Sequence, residues 1–173
     1  MKKQIQIASL VFLFFCASAW LESCKISYSF TGANLSPEVK TFSVMYFANR
    51  AKLVNPSLSQ QITEDLRDKL VRQTSLNENE DKGDIEFSGY ISGYEVRPMA
   101  IQKDDMAAQN RLTITINLKY VNNKDHEQDF ERTFSAYEDF ESSYTLSDIE
   151  SDLVPEITKK IIEDIFNATI ANW

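Results

Sequence analysis

The feature that most constrains the fold is a strict alternation of apolar and polar side chains over residues 110–121. The even positions from 112 to 120 carry Leu, Ile, Ile, Leu and Tyr, and the odd positions from 111 to 119 carry Arg, Thr, Thr, Asn and Lys. Successive side chains of a β-strand point to opposite faces, so this pattern predicts a strand with one buried and one solvated face. Its sheet therefore needs a covering layer on one side only.

Three further segments show the two-residue period of strands. They are residues 39–47, 85–96 and 127–137. In the second of these, Gly89 and Gly93 share a face with Ile91, which predicts a bulge or the close approach of a helix. Tyr90, Tyr94 and Val96 are expected on the opposite face of that strand. A polar turn at residues 122–125 joins the last two strands as a hairpin.

Two segments show the period of amphipathic helices instead. Their apolar stripes are Leu58, Ile62, Leu66 and Leu70 in the first helix, and Leu153, Ile157, Ile161 and Ile165 in the second. The first helix is predicted to begin at a capping box formed by Ser57 and Gln60 and to end near residue 74. The second is predicted to be capped by Asp152, to carry Pro155 in its first turn and to end near residue 171.

The two helices and the apolar sheet face supply matching surfaces. The economical architecture is an α+β two-layer sandwich, with a four-stranded mixed sheet and two helices on one face, in the order β-α-β-β-β-α. The β-α-β start implies a parallel strand pair joined by a right-handed crossover. We expect residues 39–173 to form this single domain.

The N-terminus has the parts of a bacterial secretory leader. Lys2 and Lys3 precede an apolar stretch over residues 7–20. At roughly 14 residues this stretch is shorter than the about 20 that span a bilayer as a helix. Residues 1–23 are therefore predicted to be a lipoprotein signal peptide, and residues 24–38 a lipidated tether.

Three cleavage sites compete in this leader. Cys16 follows a bulky Phe, which does not suit the peptidase, and Ala17–Ala19 matches an ordinary secretory site. Leu21–Cys24 resembles a lipoprotein box, with an apolar residue first and Ser directly before the cysteine. We expect Cys24 to be lipidated, with acyl chains such as palmitate. Two or more chains anchor a protein stably to its membrane.

Charge and cysteine content exclude several classes of function. The chain has 18 Lys and Arg against 26 Asp and Glu, of which the leader contains Lys2, Lys3 and Glu22. The mature chain thus carries a net charge of −9, which argues against nucleic-acid binding. Once Cys24 is acylated, no thiol remains for a disulfide, a metal site or a nucleophile.

Catalytic patterns are absent from the sequence. His126 is the only histidine and lies among polar turn residues, and there is neither a G-x-S-x-G sequence nor a glycine-rich phosphate loop. Neighbouring carboxylates such as Asp104–Asp105 and Glu138–Asp139 are expected to be solvated side chains. We predict that the protein has no cofactor, holds no metal and is not an enzyme; a carboxylate-dependent hydrolase is a third-ranked alternative.

Basic residues in predicted loops are the remaining candidates for a site. Arg50 lies in the loop after the first strand, Arg97 in a long connection over residues 97–109, and Arg111 at the start of the next strand. Irregular connections of that length are often functional. The three arginines either share a patch at one end of the sheet or are ordinary loop charges, and the sequence leaves both readings open.

Four groups of residues carry a resemblance to a known family. They are residues 28–32 (YSFTG), residues 47–51 (FANRA) with 54–59 (VNPSLS), residues 107–114 (AAQNRLTI) and residues 134–140 (FSAYEDF). Their order and spacing behind a lipoprotein leader resemble LptE, the lipopolysaccharide-assembly lipoprotein family, in its Bacteroidota form. The resemblance covers essentially the whole mature chain, and the family fold has two helices and four strands.

The resemblance implies a non-enzymatic outer-membrane lipoprotein that is the plug and assembly partner of the β-barrel LptD and contacts lipopolysaccharide. Basic residues contact the lipid A phosphates in enteric members, and a guanidinium fork suits phosphate. No basic motif of those members aligns here, so Arg50, Arg97 and Arg111 are candidates by position. Lys25–Ser27 lacks an acidic run, which favours the periplasmic side. The alternative is a periplasmic scaffold or binding lipoprotein of another envelope complex.

Overall fold

The computed structural model describes residues 35–53, 55–99 and 108–171, which belong to one compact unit. The strands are β1 (Thr41–Val44), β2 (Ala48–Asn49), β3 (Asn77–Glu78), β4 (Ile85–Pro98), β5 (Gln109–Asn122) and β6 (Phe130–Glu141), and the helices are α1 (Leu58–Gln73) and α2 (Leu146–Phe166). A short π-helical turn, Asn167–Ala171, follows α2. The predictions for the leader, for Cys24 and for most of the tether lie outside the described residues.

One mixed sheet contains all six of these strands. Its order is β3-β1-β4-β5-β6, and β2 pairs with β4 beyond the end of β1. β1 and β2 run parallel to β4, whereas β4, β5 and β6 form an antiparallel meander. The predicted α+β fold is confirmed, but the described sheet has six strands rather than four. The two additional strands, β2 and β3, have two residues each and are too short to produce a visible alternation.

The hydrophobic core lies between the sheet and the two helices. Its fully buried members include the predicted stripe of α1, the five even-numbered residues of β5 from Leu112 to Tyr120, and Ile157, Ile161 and Ile165 of α2. Burying a side chain of this size stabilises a fold by about 1.5–3 kcal/mol. The repeat patterns of α1 and β5 therefore predicted the core correctly.

A β-bulge between Ile91 and Gly93 shifts the register of β4 against β5. An extra residue reverses which face each later side chain occupies. Tyr94 is consequently on the core side and only 2% exposed, so its predicted position on the solvated face was wrong. The expected bulge is confirmed, whereas the side chain that approaches Gly89 is Phe47 and not a helix.

The N-terminus of α1 differs from the prediction. Ser57 makes no side-chain capping bond; its backbone N–H and that of Leu58 donate to Asn55 Oδ1, at 2.9 and 3.2 Å. An asparagine side chain can accept from amides two and three residues ahead, and it does so here in place of the predicted Ser57–Gln60 box.

α2 begins six residues earlier than its predicted cap, Asp152. The N–H and hydroxyl of Thr145 both donate to the carboxylate of Asp148, at 3.0 and 2.7 Å, in a capping box. Pro155 consequently lies inside the helix and not in its first turn. The polar residues that precede Leu153 concealed the first two turns of this helix from the sequence pattern.

A buried hydrogen-bond cluster joins three parts of the fold near the bulge. The Tyr94 hydroxyl donates to Glu150 Oε1 on α2, and Asn55 Nδ2 donates to the same oxygen at 2.9 Å. Burial and the neighbouring carboxylate raise the pKa of Tyr94 well above its ordinary value. The cluster thereby ties β4 and the segment before α1 to the second helix.

Candidate functional site

The face of β4, β5 and β6 opposite the helices is uncovered within the described residues; we call it the open face. Its side chains are half-buried or exposed and lie in cross-strand rows. The rows are Tyr90–Asn117–Thr133, Gly93–Thr115–Ser135, Glu95–Thr113–Tyr137 and Arg97–Arg111–Asp139. Facing side chains in such rows are close enough to interact. The open face is therefore a continuous polar surface with two tyrosines.

Arg111 is the most firmly held of the candidate residues. Its Nε and Nη2 donate to Asp139 Oδ1 and Oδ2, at 2.7 and 2.8 Å, and its guanidinium lies 3.6 Å from the ring centroid of Tyr137. The hydrogen bond to Arg111 holds the pKa of Asp139 below its ordinary value. Planar guanidinium–carboxylate pairing and aromatic stacking together fix the orientation of this side chain.

Arg97 lies directly opposite Arg111 in the register of β4 and β5. The long connection was predicted to begin at Arg97, but pairing continues through Pro98 and Asn110, so Arg97 is a strand residue. Its Nε and Nη2 donate to Glu95 Oε2, at 3.0 and 2.6 Å. Two guanidinium groups and two carboxylates thus neutralise each other at this end of the open face.

Arg50 occupies a different part of the same face. Its backbone N–H donates to the Ile91 carbonyl, and its guanidinium lies 4.4 Å from the ring centroid of Tyr90. With about 3.3 Å per strand residue, Tyr90 is about 20 Å from Arg97 along β4. Among the described residues, no carboxylate forms an ion pair with Arg50. The structure therefore brings Arg97 and Arg111 together and leaves Arg50 apart.

The predicted position of Tyr90 on the solvated face is confirmed, but the sequence did not identify Tyr90 or Tyr137 as partners of the arginines. The Tyr90 hydroxyl also accepts a hydrogen bond of 2.7 Å from Asn117 Nδ2, and Thr133 donates to the Oδ1 of the same asparagine. The alternation of each strand assigns these residues to the solvated face. Their cross-strand pairing depends on the register, which a single strand does not reveal.

Glu138 and Asp139, which the sequence predicted to be solvated neighbours, form ion pairs on opposite faces of β6. Asp139 points to Arg111 on the open face, whereas Glu138 forms an ion pair with Lys160 of α2 at 2.6 Å. His126 lies beside Asp129, with Nδ1 and Oδ2 2.9 Å apart. Across residues 35–53, 55–99 and 108–171, no three His, Cys, Asp or Glu side chains form a group that could hold a metal.

The open face can offer hydrogen bonds, guanidinium charge and aromatic surface to a partner. The model of the lipopolysaccharide-assembly family, LptE, matches residues 39–169, a range that contains every described strand and helix up to the end of α2. The chain belongs to the LptE family. LptE proteins are non-enzymatic assembly proteins, and membership assigns this chain to lipopolysaccharide assembly.

Several solved structures resemble this LptE-family fold. The hypothetical protein CT253 from Chlamydia trachomatis has a TM-score of 0.52 at 8% identity and covers 78% of this chain and 99% of its own. A minor lipoprotein from Acinetobacter baumannii has a TM-score of 0.48 at 15% identity, and the match covers 73% of this chain and 89% of the lipoprotein. Rare lipoprotein B from Shewanella oneidensis has a TM-score of 0.44 at 8% identity, and the match covers 75% of this chain and 90% of that protein. At 8% identity, the likeness to CT253 shows the fold alone.

The comparison with curated proteins finds no match to this LptE-family chain. Among the described residues, neither helix is both long enough and apolar enough to cross a membrane.

Proposed function

We propose that this LptE-family chain is an outer-membrane lipoprotein that assists lipopolysaccharide assembly at the cell surface as the plug and assembly partner of the LptD β-barrel. The observation that carries the proposal is the family match over residues 39–169, which spans the described fold. The lipoprotein box that ends at Cys24 supports an anchor on the periplasmic side of the outer membrane.

We assign the contacts with lipopolysaccharide and with the LptD barrel to the open face. It is polar and no described helix covers it, and the guanidinium groups of Arg50 and Arg111 are held by Tyr90, Tyr137 and Asp139. Arg97 and Arg111 already have carboxylate partners, so an anionic ligand would compete with Glu95 and Asp139 for them. At Arg50 an anionic ligand would not have to displace a carboxylate of the described residues. We therefore assign lipopolysaccharide phosphate to Arg50 first and barrel contact to Arg97 and Arg111.

Site-specific photocrosslinking in cells tests this assignment. Crosslinkers at positions 50, 97 and 111 should give adducts with one large β-barrel, and position 50 should also give adducts with lipopolysaccharide. Position 68 is the control, because Asp68 is an exposed residue of α1 on the other layer. Equal adducts from position 68, or a chain without a barrel partner after mild detergent extraction, would contradict the assignment.

Depletion of the protein separates the proposal from a scaffold role in another envelope complex. If this chain is the partner of LptD, its depletion should reduce surface lipopolysaccharide, because the barrel would no longer assemble correctly. Surface lipopolysaccharide that is unchanged after depletion would support the scaffold instead. Depletion of an unrelated outer-membrane lipoprotein controls for general envelope stress.

A further inference from the structure

The outer edge of β6 is an unpaired strand edge within the described part of the chain. β6 is 12 residues long and ends the sheet, with β5 as its described strand partner. Its register with β5 is continuous from Phe130 to Glu141, without a bulge, and it contains no proline. Proteins usually protect an edge of this length with charged side chains, a bulge, a proline or a covering element, and of the first three devices β6 has only charged side chains, among them Glu131, Glu138 and Asp139.

The alternation of hydrogen bonds identifies which groups face outward. The Ser142 N–H donates to the Ala108 carbonyl, so the even-numbered residues before it face β5 in the same way. The odd-numbered residues of β6 from Glu131 to Glu141 therefore direct their N–H and C=O groups away from the sheet. Lys160 Nζ reaches one of these groups, the Tyr137 carbonyl, at 3.5 Å. The Tyr144 N–H donates to another, the Glu141 carbonyl, at 3.1 Å. No other described group is hydrogen-bonded to the outward N–H and C=O groups of β6.

Acidic side chains border this edge on both sides. A groove between β6 and α2 is lined by Ser135, Ala136, Tyr137, Glu138, Asp139, Lys160, Glu163 and Asp164. Asp139 and Glu138 have ion-pair partners, whereas Glu163 and Asp164 form no ion pair with another described residue. The groove consequently contains more acidic than basic side chains, beside a row of backbone groups of which most have no partner among the described residues.

We propose that β6 is a docking edge for an extended, basic segment of a partner protein, which adds a strand to the sheet. Backbone hydrogen bonds to the odd-numbered residues would supply the pairing, and Lys or Arg side chains of the segment would face Glu163 and Asp164. This inference goes beyond the proposed function, because it concerns an edge of the sheet and a polypeptide ligand rather than the open face and lipopolysaccharide.

A second copy of the chain is a poorer occupant of the same edge. Six acidic residues border the edge and two basic residues accompany them: Glu131, Glu138, Asp139, Glu141, Glu163 and Asp164, with Arg132 and Lys160. Two copies would bring surfaces of like sign together, and the mature chain has a net charge of −9 from the counts above. Charge complementarity thus favours a basic partner.

Hydrogen exchange of the full chain in mild detergent tests the proposal with a defined probe. The probe is a synthetic peptide of about ten residues with alternating Lys and Thr, long enough to cover most of β6. We expect it to slow exchange of the outward amides of Thr133, Ser135 and Tyr137. A Glu–Thr peptide of the same length is the charge control and should leave these amides unchanged.

Two variants separate pairing from charge. Glu163→Gln with Asp164→Asn should weaken binding of the Lys–Thr peptide about fivefold at low ionic strength, since two favourable ion pairs are lost. Glu80→Gln with Asp81→Asn is the matched control, because it neutralises another exposed acidic pair. Ser135→Pro removes one outward N–H, a change that an edge strand tolerates, and should abolish the protection on both sides of it.

Several outcomes would overturn the proposal. Equal binding of the Glu–Thr peptide would remove the basic preference, and peptide binding without slower exchange in β6 would place the ligand elsewhere. Protection that rises with protein concentration alone would identify a second copy as the occupant. Protection at every concentration without peptide would mean that another segment of the same chain covers the edge. None of these outcomes bears on lipopolysaccharide assembly, which the crosslinking tests separately.

Discussion

At the scale of single residues, Asp84 concentrates several interactions on one carboxylate. Its Oδ2 accepts from the backbone N–H groups of Lys40 and Thr41, at 2.9 and 3.0 Å, and from the Thr41 hydroxyl at 3.0 Å. Lys124 Nζ lies 3.0 Å from Oδ1. The hydrogen bond from Lys40, together with Lys124 and Thr41, holds the pKa of Asp84 well below its ordinary value. This carboxylate therefore attaches the start of β1 to the start of β4.

Asp84→Asn should lower the free energy of unfolding by about 1 kcal/mol at pH 7. Because the pKa is depressed in the folded state, the ionised carboxylate contributes its stability above the unfolded-state pKa of about 4 and loses it as the pH falls further. The difference between the wild type and the variant should therefore narrow at acidic pH in urea unfolding. Asp81→Asn is the control, since no described group donates to that carboxylate; a difference independent of pH would contradict this account.

Tyr94→Phe should destabilise the protein by about 1–2 kcal/mol. The substitution keeps the buried ring but removes the hydroxyl that donates to Glu150, and it leaves Asn55 as the remaining donor to that oxygen. Thermal unfolding measures the loss. Tyr46→Phe is the matched control, because Tyr46 is 62% exposed and should tolerate the change. Similar losses in both variants would show that the buried cluster is not responsible.

At the scale of elements, the pairing of β4 with β5 depends on Gly89. A Cβ atom at this position would lie 2.2 Å from the Asn117 carbonyl oxygen and 2.8 Å from Phe47 Cε1. Gly89→Ala should therefore cost about 1–3 kcal/mol, because a backbone atom cannot move aside easily. At Gly93 the nearest atom would be Thr115 Cβ at 3.1 Å, so Gly93→Ala should cost less. A reversed order of the two losses in urea unfolding would refute this reasoning.

Local patterns predicted the elements well where one residue spacing governs the burial. The stripe of α1 and the alternation of β5 are complete repeats, and both helices and the four longer strands followed from such patterns. The sequence patterns gave wrong positions where contacts with other elements determine the face or the cap of a residue. The bulge at Ile91, which places Tyr94 in the core, depends on the pairing of β4 with β5. Asn55 and Ser57 are both local candidates for the cap of α1, and Asn55, whose side chain also donates to Glu150 on α2, is the residue that caps it.

At the scale of the whole molecule, the same limit governs the candidate site. The sequence identified Arg50, Arg97 and Arg111, but the facing of Arg97 and Arg111 follows from a register that the bulge alters. The positions of Tyr90 and Tyr137 under two of these arginines follow from strand order as well. The sequence predicted which residues lie on the solvated face, whereas the strand order and register of the sheet determine which of them are neighbours.

The attachment of the molecule to its membrane is predicted to depend on one atom, the Cys24 sulfur. Cys24→Ser should abolish acylation, since a hydroxyl does not form the thioether, and the N-terminal peptide should lose the mass of the acyl chains. Cys16→Ser should leave the acylated peptide unchanged. Mass spectrometry of the N-terminal peptide checks both variants, and an acylated peptide from Cys24→Ser would assign the anchor to another site.

The parallel pairing of β1 with β4 has a consequence for the order of folding. Thr41 and Asp84 are 43 residues apart in the chain, whereas β4, β5 and β6 are consecutive neighbours joined by turns and one connection. Closing the longer loop costs more chain entropy, so the meander should nucleate first and β1 should join it late. Pulse-labelled hydrogen exchange during refolding should protect Ile116 before Phe42. The first of the described strands to be synthesised is then among the last to pair with the sheet.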